Sequence, residues 1–190
     1  MKRTILMMAA IMALTVLLIG GVAYAASVTC DGAGDTDIDF GECKGTLEAD
    51  SITGTSRGGF IDALAGNDTV DARAENDQVY GREGQDTLHG RGGEDDISGG
   101  ADNDTLFGEG GHDFLFGGGG SNAYFGGPGP DTLEADVSLP GETETISGDT
   151  GDDIISAVDG VEDDIDCGGG NDTVAADAFD KVAPNCEFRN

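Results

Sequence analysis

Aspartate recurs along this chain at a fixed nine-residue spacing. Asp50, Asp68, Asp77, Asp86, Asp95, Asp104, Asp113 and Asp131 fall on it, and Gly59 and Asn122 fill the two remaining places. Stacking such units sets carboxylate above carboxylate, an arrangement that demands a cation between them. Glycine turns expose backbone carbonyls, and the aspartates supply charge. Ca²⁺ is a hard cation that takes ~6–8 oxygens from carboxylates and carbonyls. The residue types therefore point to calcium bound as part of the fold.

The elements that must position these carboxylates follow from the same period. Ten units begin at Gly45, Gly54, Ala63, Ala72, Gly81, Gly90, Gly99, Gly108, Gly117 and Gly126. Their eighth positions are Ile52, Ile61, Val70, Val79, Leu88, Ile97, Leu106, Leu115, Tyr124 and Leu133, all apolar. At 37 % hydrophobic residues, ten in a row by chance has odds of about 1 in 20,000, so the period marks a repeat architecture. Nine residues suffice for one turn and one short strand. The first six bend, with glycine permitting positive φ angles. The last three form a strand whose middle side chain points inward. Positions seven (Thr69, Thr87, Thr105, Thr132) and nine face out. One aliphatic residue per unit makes a thin core. At ~25 cal/mol per Å² it does not comfortably offset ~1–2 kcal/mol of backbone entropy per residue.

Gly126-Gly-Pro-Gly-Pro-Asp131 followed by Thr-Leu-Glu resembles the hemolysin-type calcium-binding repeat, the RTX nonapeptide. Gly108-Glu-Gly-Gly-His-Asp113 and Gly90-Arg-Gly-Gly-Glu-Asp95 are close variants. The resemblance covers residues 45–134. It implies an all-β fold, a right-handed parallel β-roll with two units per coil, each turn stacking on the turn two units away. It also implies ions held between stacked turns by aspartates and turn carbonyls, among them those of Gly93, Gly111 and Gly129. One edge would hold Asp77, Asp95, Asp113 and Asp131. The other would hold Asp50, Asp68, Asp86, Asp104 and Asn122. The best-formed pairs are Asp95 with Asp113 and Asp113 with Asp131. Gly59 offers no carboxylate and Asn122 only a neutral oxygen. Ala63, Ala72, Arg57, Glu75 and Asp102 replace usual glycines, so fewer ions than turns are expected, with the weakest sites at the amino end.

Residues 1–25 read as a secretory signal peptide: Lys2 and Arg3, an apolar stretch from Ile5 to Ile19, and an Ala23-Tyr24-Ala25 cleavage site. An uncleaved anchor is the alternative, though the stretch is short for a span of ~20 residues. Net charge is −29 for the chain, and losing Lys2 and Arg3 makes it more negative. Such a charge repels phosphates and excludes nucleic acid and anionic membrane as partners. The same composition suits a disordered acidic chain, which describes the calcium-free state.

Residues 26–44 form an amino-terminal cap with Cys30 and Cys43. Asp35, Asp37 and Asp39 are spaced like an EF-hand loop, but Phe40 stands where that loop needs glycine; an acidic strand or capping loop fits better. Residues 135–147 break the register as a loop. The pattern resumes imperfectly at Glu144 with Ile146, and degenerate repeats follow over 148–175, where Asp153 with Ile155, Asp163 with Ile165, and Asp172 with Val174 continue it. Asp153 and Asp172 are weaker ligand candidates, with Asp50 and Asn122. Residues 176–190 form the carboxyl-terminal cap with Cys186. Four cysteines permit three pairings. Proximity favours Cys30–Cys43 and Cys167–Cys186, covering the open ends that a solenoid must close.

Catalytic chemistry is not readable. His89 should face outward and His112 sits in a turn; no Ser-His-Asp order, HExxH or P-loop occurs. The Asn-Asp-Thr triplets at 67, 103 and 171 arise from the repeat itself. The reading is a secreted, non-enzymatic calcium-binding protein. An adhesion module binding extracellular polysaccharide or a cell surface is the alternative, with Phe107, Phe114, Phe116, Tyr124 and Phe125 as a possible patch. A polysaccharide-acting enzyme would need a basic file, and Arg73, Arg82 and Arg91 are the candidates.

Overall fold

The computed structural model describes residues 26–30, 42–135 and 139–187. The leader, the Asp35–Asp39 run and part of the 135–138 insertion lie outside the described residues.

The chain forms strands β1 (Ala26–Thr29), β2 (Glu42–Lys44), β3 (Asp50–Thr53), β4 (Phe60–Asp62), β5 (Thr69–Asp71), β6 (Gln78–Glu83), β7 (Thr87–Gly93), β8 (Asp96–Ala101) and β9 (Thr105–Gly111). It continues with β10 (Phe114–Gly118), β11 (Ala123–Pro128), β12 (Thr132–Glu134), β13 (Thr145–Thr150), β14 (Ile154–Ala157), β15 (Asp164–Asp166), β16 (Thr173–Ala176) and β17 (Lys181–Val182). Odd strands make a nine-stranded sheet and even strands an eight-stranded one, each in chain order. Every strand pair between neighbouring coils is parallel, as Thr69 beside Thr87 and Gln78 beside Asp96 illustrate. The architecture is a parallel β-solenoid of two sheets, and its coil is two nonapeptides.

Position eight is the core. Val70, Val79, Leu88, Ile97, Leu106, Leu115, Tyr124 and Leu133 are all fully buried. They form one continuous file with Ile146, Ile155, Ile165 and Val174 beyond the break. Many strands run longer than the three residues expected. β7 spans seven, and its turn residues Arg91, Gly92 and Gly93 pair with Glu109, Gly110 and Gly111. The reason is geometric: superimposed turns stack their backbone groups as strands do, so the ladder passes through the bend.

The register break is milder than its sequence suggests. The coil from Asn122 to Glu144 is 22 residues long, against 18 from Asp113 to Asp131. β13 then pairs with β11, and Tyr124 lies beside Ile146. Disulfides Cys30–Cys43 and Cys167–Cys186 close the two ends, with Cα–Cα distances of 5.7 and 5.2 Å.

The aromatic cluster divides. Phe107 stacks between His89 and Phe125 on the outside of the odd sheet, at centroid distances of 4.5 and 4.9 Å. Phe114 is exposed on the even sheet and Tyr124 is interior. Two of the three arginines of the basic file are paired with carboxylates: Arg82 with Asp62 at 3.0 Å, and Arg91 with Asp71 at 3.2 Å and Glu109 at 3.0 Å.

Candidate metal centre

Each position-six side chain turns inward at the start of a strand. There its first carboxylate oxygen accepts the backbone N–H of the residue one coil earlier. Along one edge Asp50 N–H donates to Asp68, Asp68 to Asp86, Asp86 to Asp104 and Asp104 to Asn122, at 2.7–2.9 Å. Along the other, Asp77 N–H donates to Asp95, Asp95 to Asp113 and Asp113 to Asp131, at 2.8–2.9 Å. The two edges are those that the resemblance to the RTX repeat implies. Both continue past the break. Asn122 N–H donates to Glu144 at 2.6 Å and Glu144 N–H to Asp163 at 2.7 Å. Asp131 N–H donates to Asp153 and Asp153 N–H to Asp172. Asp163 is therefore a full member of the file. Its spacing from Asp153 is ten residues, one more than the period; the sequence places it in the resumed pattern with Ile165 but not among the ligand candidates.

The second carboxylate oxygen has no such partner. Oδ2 of Asp68, Asp77, Asp86, Asp95, Asp104, Asp113, Asp131, Asp153, Asp163 and Asp172 is buried without a hydrogen bond. A buried charge left unpaired is costly and is found paired or bound to metal. Burial accordingly pushes nine of these acids up, from Asp68 through Asp163 along the two rows. Asp77, Asp86, Asp104, Asp113 and Asp153 rise to about 7, and Asp68 and Asp163 to about 6. Asp95 and Asp131 are raised by the same cause, while ladder N–H bonds pull each partly back. These are protonation preferences in the absence of a cation.

Space is reserved beside those oxygens. A Cβ on the position-one glycine would lie 2.6 Å from Asp113 Oδ2 at Gly108, 2.6 Å from Asp153 Oδ2 at Gly148 and 2.8 Å from Asp131 Oδ2 at Gly126. These position-one glycines are demanded by space. Positive φ falls instead at positions two and four: Arg73, Arg82, Arg91 and Glu109 adopt it at 67–87°, and Gly66, Gly84, Gly93 and Gly129 at 118–143°. At position four, a Cβ on Gly111 or Gly129 would strike the carbonyl of Gly93 or Gly111 one coil earlier. Those carbonyls thus point along the solenoid axis into the gap between coils. The donor set, hard oxygens only, fits calcium. Among the described residues no three His, Cys, Asp or Glu side chains gather into one cluster. An ion here must complete its shell from backbone carbonyls.

Two of the weaker candidates are closed. Asp50 Oδ2 accepts the Thr46 N–H at 2.6 Å and the Thr46 hydroxyl at 2.9 Å. Asn122 keeps the ladder bond through Oδ1, and its amide nitrogen lies 3.3 and 3.4 Å from the carbonyls of Gly118 and Gly120. At Ala63 and Ala72, a methyl group occupies the place of the position-one glycine in the Asp68 and Asp77 turns, and both alanines are fully buried.

No curated protein matches the chain. The family model described as RTX calcium-binding nonapeptide repeat (4 copies) matches in overlapping windows at residues 53–88, 62–97, 74–106, 89–124 and 98–133. The ladders of stacked aspartate turns and this match agree: over residues 53–133 the chain is built of RTX calcium-binding nonapeptide repeats, a repeat type that binds Ca²⁺.

Proposed function

We propose that this is a secreted protein whose turns hold Ca²⁺ between successive coils, so that folding is coupled to extracellular calcium. The observation that carries it is the double row of buried Oδ2 atoms without hydrogen-bond partners. Asp95, Asp113 and Asp131, with the carbonyls of Gly93, Gly111 and Gly129, form the best-built sites. Asp68, Asp77, Asp86 and Asp104 extend them toward the amino end, and Asp153, Asp163 and Asp172 toward the carboxyl end. Asp50 and Asn122 hold no ion. The leader-like residues 1–25 and two disulfides suit an oxidising, extracellular setting. Sites of this kind in extracellular modules bind at ~10⁻⁴–10⁻³ M, which leaves the chain open where calcium is scarce. The calcium-bound roll acts as a scaffold, without catalysis.

Far-UV circular dichroism of residues 26–190, titrated with CaCl₂ after chelation and with MgCl₂ as control, tests this. A cooperative coil-to-β change in calcium alone is expected. A spectrum already β-rich in chelator at neutral pH would refute the coupling.

A further inference from the structure

The Gly117–Asn122 turn departs from its neighbours in three ways that fit together. Position six is Asn122, whose Oδ1 accepts the Asp104 N–H at 2.8 Å and so fixes which end of the amide faces the turn. Its NH₂ then points at the Gly118 and Gly120 carbonyls, at 3.3 and 3.4 Å. Position eight is Tyr124, the one aromatic residue in the buried file of the described residues. Its phenol oxygen accepts the Gly117 N–H at 3.1 Å. A Cβ on Gly117 would strike that phenol oxygen and lie 2.7 Å from Asn122 Nδ2. In the aspartate turns, the equivalent space adjoins an unpartnered Oδ2.

We infer that this turn is a metal-free staple: the Asn122 amide and the Tyr124 hydroxyl fill and satisfy the space that an ion takes elsewhere. An NH₂ group brings two donors to carbonyls that otherwise face a carboxylate, and it does so without a charge to neutralise. The hydroxyl removes the remaining room. The inference rests on the reading of the aspartate turns as ion sites. Its consequence is an asymmetric roll. One edge carries Asp77, Asp95, Asp113, Asp131, Asp153 and Asp172 without interruption. The other is cut by the staple into a set at Asp68, Asp86 and Asp104 and a separate site at Asp163. The staple sits immediately before the 22-residue coil, where an inserted loop separates successive turns and stacking must hold without help from an ion.

The test counts bound calcium by equilibrium dialysis in the full secreted chain, with circular dichroism confirming the fold. The isosteric double variant Asn122→Asp/Tyr124→Phe restores a carboxylate and vacates the hydroxyl's place; it should bind one more ion than wild type. Asn122→Ser should bind the same number as wild type. No gain in the double variant, or one ion fewer in Asn122→Ser, would overturn the staple. Should Asn122→Ser not fold, the isosteric variant decides alone. A wild-type chain that binds no calcium would instead overturn the underlying reading of the aspartate turns.

Discussion

Replacing Asp113 by asparagine separates the two tasks of its carboxyl group. Oδ1 accepts the Asp95 N–H at 2.9 Å, and an asparagine oxygen can do the same, as Asn122 does for Asp104. Oδ2 is buried without a partner, and there the substitution exchanges a negative oxygen for a neutral NH₂. With calcium present, the loss resembles deletion of one member of a buried ion pair, ~3–5 kcal/mol. At ~1.4 kcal/mol per tenfold, this lowers the affinity of the sites flanking Asp113 by ~10²–10⁴. In chelator the sign reverses. Burial raises Asp113 from 3.8 to about 7 in the fold, so the folded chain binds this proton more tightly than the open chain does. The stabilisation is complete below the open-chain value and is lost as pH rises through the folded one. Above that value the ionised group burdens the calcium-free fold by at most ~4 kcal/mol, and asparagine lifts the burden. Asp113→Asn should therefore raise the calcium concentration needed to fold, while lowering the trimethylamine N-oxide needed to fold the chain in chelator at about pH 8. Both midpoints are read by circular dichroism. A variant that is equally weakened in both conditions would refute the division of labour, because its carboxylate would then act through the ladder alone.

Acidification gives a second prediction. In chelator, lowering the pH from about 8 toward 5 should increase β-structure, since burial lifts Asp77, Asp86, Asp104, Asp113 and Asp153 to about 7; a loss of structure across that window would contradict it. Calcium affinity, measured calorimetrically, should fall over the same window as protons compete for the ligands. Gly108→Ala places a Cβ 2.6 Å from Asp113 Oδ2 and should weaken calcium binding, whereas Gly119→Ala meets nothing within 4 Å and should leave it unchanged; equal effects would remove the argument for reserved space. Asp50→Ala should cost no bound ion in dialysis, because Thr46 already satisfies Asp50 Oδ2, while Asp113→Ala should cost binding. Reducing Cys167–Cys186, which closes a 19-residue separation, should cost ~3 kcal/mol, read as a higher urea requirement of the oxidised protein in saturating calcium.

The buried position-eight file was legible because a nine-residue period places one apolar side chain per unit on the inner face. The two sheets and the division of aspartates between two edges were legible through the resemblance to the RTX repeat, with its two units per coil. Other features were not. Glu144 and Asp163 were legible as resuming the pattern but not as members of the two ladders, since a linear period cannot show that a coil lengthened to 22 residues still stacks on its neighbour. Left-handed backbone at Arg73, Arg82 and Arg91 carries no residue-type signal, and glycine at position one serves space, where the sequence suggested backbone freedom. The closure of Asn122 was invisible because Tyr124 reads at position eight as any large apolar residue; its hydroxyl matters only once the fold aims it at Gly117. Asp50 read as a weaker ligand because it lies at the amino end, and Thr46 was needed to show that its carboxylate is already satisfied.

The places where the ladder is satisfied without metal have a physical logic. At the amino end Thr46 closes Asp50. At the carboxyl end Asp180 Oδ1 accepts the Asp163 N–H, and its Oδ2 accepts the Asp177 N–H at 2.6 Å. A terminal coil has a neighbour on one side only, so an ion there lacks half its ligands; local donors replace it. The coil before the insertion faces a related problem, since its next turn is connected through a longer loop, and Asn122 and Tyr124 supply the same remedy. Between these points each coil can stack only where paired carboxylates are neutralised. In a solenoid, stability is a sum over units and nearest-neighbour interfaces. Calcium acts on the interface terms, and the self-satisfied turns mark the interfaces that hold without it. Folding should therefore spread from coil to coil along the uninterrupted edge, with Asp95, Asp113 and Asp131 at its centre.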